Sequence, residues 1–141
     1  MYNTQMRHYH KIEAITASKM VQVAILLDHC AGLLRRAKIA IETKDYEQRH
    51  YCIDKVMVII SSIQSSLAVD RSPEIGEISN FFNNIIAFLL EITLKEDAAL
   101  CQQVQIALLE MASIWRLADS HKTASNNTAM PAVSESLNMD A

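Results

Sequence analysis

Glycine and proline are nearly missing from this chain, with 2 of each in 141 residues. So few breakers exclude a fold assembled from short strands and tight turns. A composition that is 50% hydrophobic but only 6% aromatic argues instead for long helices joined by short connections. Clustered positive charge is also lacking: no basic group exceeds the pair Arg35 and Arg36, and the formal net charge is -3. That balance excludes the electrostatic footprint of a nucleic-acid binder. Long apolar runs are absent too. The longest, Ile85 to Leu90, falls far short of the ~20 residues that cross a bilayer, so no membrane insertion is expected. The N-terminal stretch MYNTQMRHYHKIEA has no apolar core of signal-peptide length, which predicts a cytoplasmic protein.

Cysteine gives neither a disulfide framework nor a metal knuckle. Cys30, Cys52 and Cys101 are odd in number, far apart and without a CxxC pair. Each falls on or beside an apolar helix stripe, where a small reduced core residue is the expected reading. A Gly-rich phosphate loop, a nucleophile elbow and a Ser/His/Asp or Cys/His arrangement are all missing. Glu47 and His50 have the Glu-x-x-His spacing of di-iron bundles, but that site needs a second copy and two further core carboxylates, which the chain lacks. His29, followed by Cys-Ala-Gly32, has the form of a phosphorylatable histidine on a bundle. It lacks the adjacent lysine, and Leu33 and Leu34 are expected to crowd it. Neither an enzyme nor a cofactor site is predicted.

What the chain has is helical periodicity. The central stretch runs from Pro73 to Leu94, with Ile75, Ile78, Phe82, Ile85, Leu89 and Ile92 recurring at three- and four-residue steps. Phe81, Ile86, Phe88 and Leu90 lie off that seam. A helix apolar over so much of its circumference needs several neighbours or keeps one side for another protein. Ser72, Pro73 and Glu74 mark its start with a hydroxyl cap, a first-turn proline and an early acid.

The other helices follow from the same signals. Ser18 is positioned to cap a helix reaching about Lys44, with the seam Val23, Leu27, Cys30, Leu34, Ala37 and Ile41. Asp45 with Gln48 forms a capping-box-like start for the next, whose seam is Cys52, Val56, Ile59, Ile63 and Leu67, with Ile53 and Ile60 beside it. Asp97 opens a fourth, with Leu100, Val104, Ala107, Met111, Ile114 and Ala118 in register and Leu108 and Trp115 alongside. Short connections predict an all-α, antiparallel up-and-down four-helix bundle over 18–119. Residues 1–17 read as a segment that docks on something else, and 120–141, small and polar without period, as a disordered tail.

Several of these positions together resemble the FliS family of flagellar export chaperones, over about residues 2 to 117. The likeness rests on Tyr2, Tyr9 and Ala17-Ser18, then on Leu26-Leu27-Asp28, Ala37, Ala40-Ile41-Glu42 and Asp45. Lys55, Ile59, Ile60, Leu67 and Glu74-Ile75 continue it, and Leu89-Leu90, Asp97, Val104, Leu108 and Trp115 close it. The chain departs from the family pattern at Lys19, Leu27, His29 and Ser72-Pro73, and a family tyrosine is out of register near Phe81, Phe82 and Asn83. The resemblance implies a cytosolic chaperone that binds the C-terminal segment of flagellin, blocks its polymerisation and delivers it to the flagellar type III export apparatus. It also implies that the N-terminal segment is a lid, carried here by Tyr9, Ile12 and Ile15. Leu27, Ile60, Phe81, Ile86 and Phe88 are the other expected partner-binding residues. Read from composition alone, the apolar excess, with 7 Met, is first a somewhat greasy core and second an exposed partner groove. The alternative function is a four-helix adaptor that self-associates through the same apolar surface, and weak homo-oligomers are compatible with either function.

Overall fold

The computed structural model describes residues 18–68 and 73–129, with side chains at 18–68 and 76–121. Every element among them is an α-helix: α1 Lys19–Glu42, α2 Tyr46–Leu67, α3 Pro73–Lys95 and α4 Ala98–Ala129. Three of the starts are fixed by short-range hydrogen bonds to side chains the sequence singles out, while the expected Ser72 cap of α3 lies outside the described residues. Ser18 Oγ accepts from the Val21 N–H at 3.3 Å, Asp45 Oδ1 from Gln48 at 3.1 Å and Asp97 Oδ1 from Leu100 at 2.9 Å. Each satisfies an amide that the first turn leaves without a partner.

The scarcity of glycine shows at the helix ends. Lys44 (φ 60) and Glu96 (φ 51) take the left-handed conformation that glycine usually supplies after a helix. At the first of these, the Asp45 N–H returns to the Ala40 carbonyl at 2.8 Å and the Lys44 N–H to that of Ile41 at 3.2 Å, closing α1. At the far end of the chain, α4 continues to Ala129, past the boundary near Ser120 that the sequence suggests. No glycine or proline interrupts it over that span. The rest of the expected tail, 130–141, and the expected lid, 1–17, lie outside the described residues.

The chain divides into two compact units, Leu26–Met111 and the flanking Met1–Ile25 with Ala112–Ala141. In the flanking unit, Val23, Ala24, Ala112 and Trp115 are buried, and the Ser18 hydroxyl donates to the Asp119 carboxylate. In Leu26–Met111 the helices pack as a bundle around an aliphatic core. α1 buries Leu27, Cys30, Leu34, Ala37 and Ile41, the seam expected, and adds Leu33 and Ala40. α2 buries Cys52, Ile53, Val56, Ile60, Ile63 and Leu67, while Ile59 is only half-buried. α3 buries Phe82, Ile85, Leu89 and Ile92. Each fully enclosed large side chain contributes about 1.5–3 kcal/mol of transfer free energy.

The fourth helix corrects the sequence reading. Its buried face is Cys101, Val104, Leu108, Ala112 and Trp115. Leu100, Ala107 and Met111 are half-buried, and Ile114 and Ala118 are exposed. Two equally apolar rows run along this helix about 100° apart, so periodicity alone does not choose between them. Its neighbours do.

α2 and α3 run antiparallel. Near the end of α2, Gln64 Nε2 donates to Asn83 Oδ1 at 2.9 Å and to the Ser79 carbonyl at 3.3 Å, both in the first half of α3. At the start of α2, Arg49 pairs with Glu96 just past the end of α3.

Candidate functional site

Phe81 and Phe88 stand two turns apart on α3, on the flank that faces α4. Phe82, next to Phe81, is wholly buried and meets the Phe81 ring edge-on, with centroids 5.3 Å apart and planes at 70°. This contact anchors Phe81 at the rim of the core. From there Phe81, Asn84 and Phe88, over Ile85, form one wall of a cleft of about 240 Å³. Leu100, Gln103 and Ala107, over Val104, form the other. Among the described residues lining it, none carries a charge. Phe88 is 41% exposed, so a large apolar ring faces solvent beside a recess able to accept other apolar groups.

Helical spacing separates Ile86 from this cleft. It lies on the opposite flank of α3 from Phe81 and Phe88, toward Asn83 and its bond to Gln64. Leu27 and Ile60 are completely buried, where they hold the bundle together and are out of reach of a docked partner. Tyr9, Ile12 and Ile15 lie outside the described residues. Of the eight expected partner-binding residues, the structure brings Phe81 and Phe88 to one surface. Sequence reasoning missed the cleft's second wall, although its signal was visible: Leu100 and Ala107 belong to the row read as the core seam.

The chemistry around the rest of the fold is spare. Cys30, Cys52 and Cys101 are free and buried. Burial pushes the Cys30 thiol up to about 12. Burial, with Cys52 and Asp97 adding and Lys38 opposing, pushes Cys101 up to about 11. Cys101 donates its thiol proton to the Leu34 carbonyl at 3.3 Å. Protonated, enclosed thiols of this kind are poor nucleophiles and poor ligands. Among the described residues, no group of three His, Cys, Asp or Glu side chains is placed to hold a metal, and no helix is long and apolar enough to cross a membrane. Glu47 and His50 are both exposed. Around His29 the crowding expected from Leu33 and Leu34 does not occur, because both are buried while His29 and Gly32 face solvent.

The chain that forms this helical bundle and its uncharged apolar cleft has relatives among known proteins. Over 94 residues the chain is 29% identical to the flagellar secretion chaperone FliSB of Pseudomonas aeruginosa, covering 66% of this chain and 75% of that protein. Residues 1–122 match the family described as flagellar protein FliS, and the chain belongs to that family.

Proposed function

We propose that this protein is a flagellar export chaperone that holds the C-terminal segment of flagellin in the cytoplasm, prevents its premature polymerisation and presents it to the export apparatus. The observation that carries this reading is the uncharged cleft between α3 and α4 with Phe88 exposed on its rim. A flagellin terminal segment is an amphipathic helix-former. Its apolar face, laid along Phe81 and Phe88, would be withdrawn from contact with other flagellins by helix-in-groove recognition. Family membership and the likeness to a secretion chaperone support the assignment.

In this reading the four helices form an antiparallel up-and-down bundle, and residues 1–17, through Tyr9, Ile12 and Ile15, cover client surface until flagellin arrives. A client helix that buries more apolar area displaces such a lid, since burial favours the larger contact by roughly 25 cal/mol per Å² before ordering costs.

Calorimetry with a peptide of the flagellin C-terminal segment tests the proposal. The full chain is expected to bind it, and a chain lacking residues 1–17 to bind it equally or more tightly while taking up more hydrophobic dye. If neither binds, the chaperone reading gives way to a self-associating adaptor.

A further inference from the structure

A second recess lies on the other flank of α4. Gln103 lines the Phe88 cleft, whereas Gln105, about 200° further round the helix, lines a groove of about 550 Å³ shared with α1. Gly32 lies in this groove, between Asp28 and Arg35 along α1 and facing Gln105 and Leu109 of α4.

Among the described residues, nothing in the fold requires a glycine at position 32. It lies in the middle of a 24-residue helix, its φ is not positive, and a Cβ built on it meets nothing within 4 Å. A glycine there weakens the helix relative to alanine. Among the described residues, a turn and a close approach by the chain's own atoms, two ordinary reasons for a glycine, are both absent here. The open space over Gly32 leaves room for another backbone to come close to α1.

Charge indicates what that something is. The chain as a whole is acidic, with a formal net charge of -3, yet this groove carries Arg35 and Arg36. Both are exposed, and among the described residues no ion pair engages either one. Asp28, the acid in the same groove, has an interaction of its own. The uncompensated charge is therefore positive, in contrast with the uncharged Phe88 cleft.

We propose that the groove between α1 and α4 docks an acidic amphipathic helix of a second partner protein. The helix backbone crosses α1 at Gly32, its carboxylates face Arg35 and Arg36, and an apolar side chain rests on Leu109. Because the two recesses flank opposite sides of α4, this site and the Phe88 cleft can be occupied together. The proposal stands independently of the flagellin reading.

Fluorescence anisotropy on the full chain tests it with a labelled model helix of about three heptads, leucine on one face and glutamate elsewhere, against the same helix with lysine for glutamate. The glutamate helix is expected to bind about tenfold or more tighter than the lysine helix, and to weaken as salt rises. Arg35→Glu with Arg36→Glu should lose about tenfold or more, and so should Gly32→Leu. Gly32→Ala should melt at the same or a higher temperature while binding more weakly, a combination that no merely structural role produces. Phe88→Glu should leave binding unchanged. Equal affinity for the two helices, no binding at all, or loss on Phe88→Glu with Gly32→Leu unaffected would overturn the proposal. Dimerisation abolished by Gly32→Leu, seen in sedimentation, would also overturn it, because the occupant would then be a second copy of the chain.

Discussion

Arg49, in the first turn of α2, lies with its Nη1 3.6 Å from Oε1 of Glu96, the residue that turns the chain after α3. The guanidinium also sits over the Tyr46 ring, 5.5 Å from its centroid, and its stem is largely buried. The ion pair is partly exposed, so it is worth under about 1 kcal/mol, whereas the apolar stem contributes packing as well. In urea unfolding, Glu96→Gln should therefore cost less than about 1 kcal/mol and Arg49→Ala more, about 1–2 kcal/mol. Equal costs would mean that the charge pair, not the packing, closes this end of the helix pair.

Helix ends without glycine leave stability to be gained. Lys44 holds a left-handed backbone that costs a side-chain-bearing residue about 1–2 kcal/mol, and its side chain makes no hydrogen bond or ion pair among the described residues. Lys44→Gly is expected to raise stability by about 1 kcal/mol, and Asp45→Ala, one residue on, to lower it by about 1 kcal/mol through loss of the cap. Thermal melts of the two variants should shift in opposite directions.

On α4, Leu108 is fully buried while Ile114 is 59% exposed. Leu108→Ala should cost about 2–5 kcal/mol, and Ile114→Ala should stay within about 0.5 kcal/mol. The reverse order in denaturant titrations would restore the register that periodicity suggests.

That register shows where the sequence is readable and where it is not. Ser18, Asp45 and Asp97 are legible as caps because capping is settled within three residues of chain. The α1 seam is legible because Arg35, Arg36 and Glu42 occupy the opposite face, leaving one side to bury. α4 has no such contrast: Cys101, Leu108 and Trp115 compete with Leu100, Ala107 and Ile114, and only the packing of other helices decides. The same ambiguity hid half the cleft, since Leu100 and Ala107 looked like core. Leu27 and Ile60 read as partner contacts for a related reason. An apolar residue reserved for a partner and one reserved for the core have the same chemistry and differ only in what covers them.

The buried thiols make stability depend on alkaline pH. Cys30 at about 12 and Cys101 at about 11 lie above the ordinary thiol value of 9.0, so above that value the unfolded chain loses protons that the folded chain keeps. The folded state then binds more protons, and stability falls as pH rises. The protection is fully present below pH 9 and declines between 9.0 and about 11 to 12, by up to about 1.4 kcal/mol per pH unit for each thiol. Cys30→Ala should flatten the decline relative to the unaltered chain in the same buffers. An unchanged slope would mean that Cys30 does not contribute to it.

The two flanks of α3 separate client binding from folding. Phe88 stands on the rim of the α4 cleft, 41% exposed, and Ile86 lies half-buried on the flank toward Gln64. If the cleft receives a flagellin helix, a charge at Phe88 must be desolvated against an apolar ligand. Phe88→Glu should then weaken a flagellin C-terminal peptide by about 1–3 kcal/mol in calorimetry, with little change in the melting temperature. Ile86→Glu should leave the peptide affinity unchanged. Leu27→Ala and Ile60→Ala empty space in a closed core, so each should lower stability by about 2–5 kcal/mol while the protein that remains folded binds normally. If Ile86→Glu, not Phe88→Glu, removes binding, the client docks along the opposite flank of α3, toward α2, and the uncharged cleft is not its site.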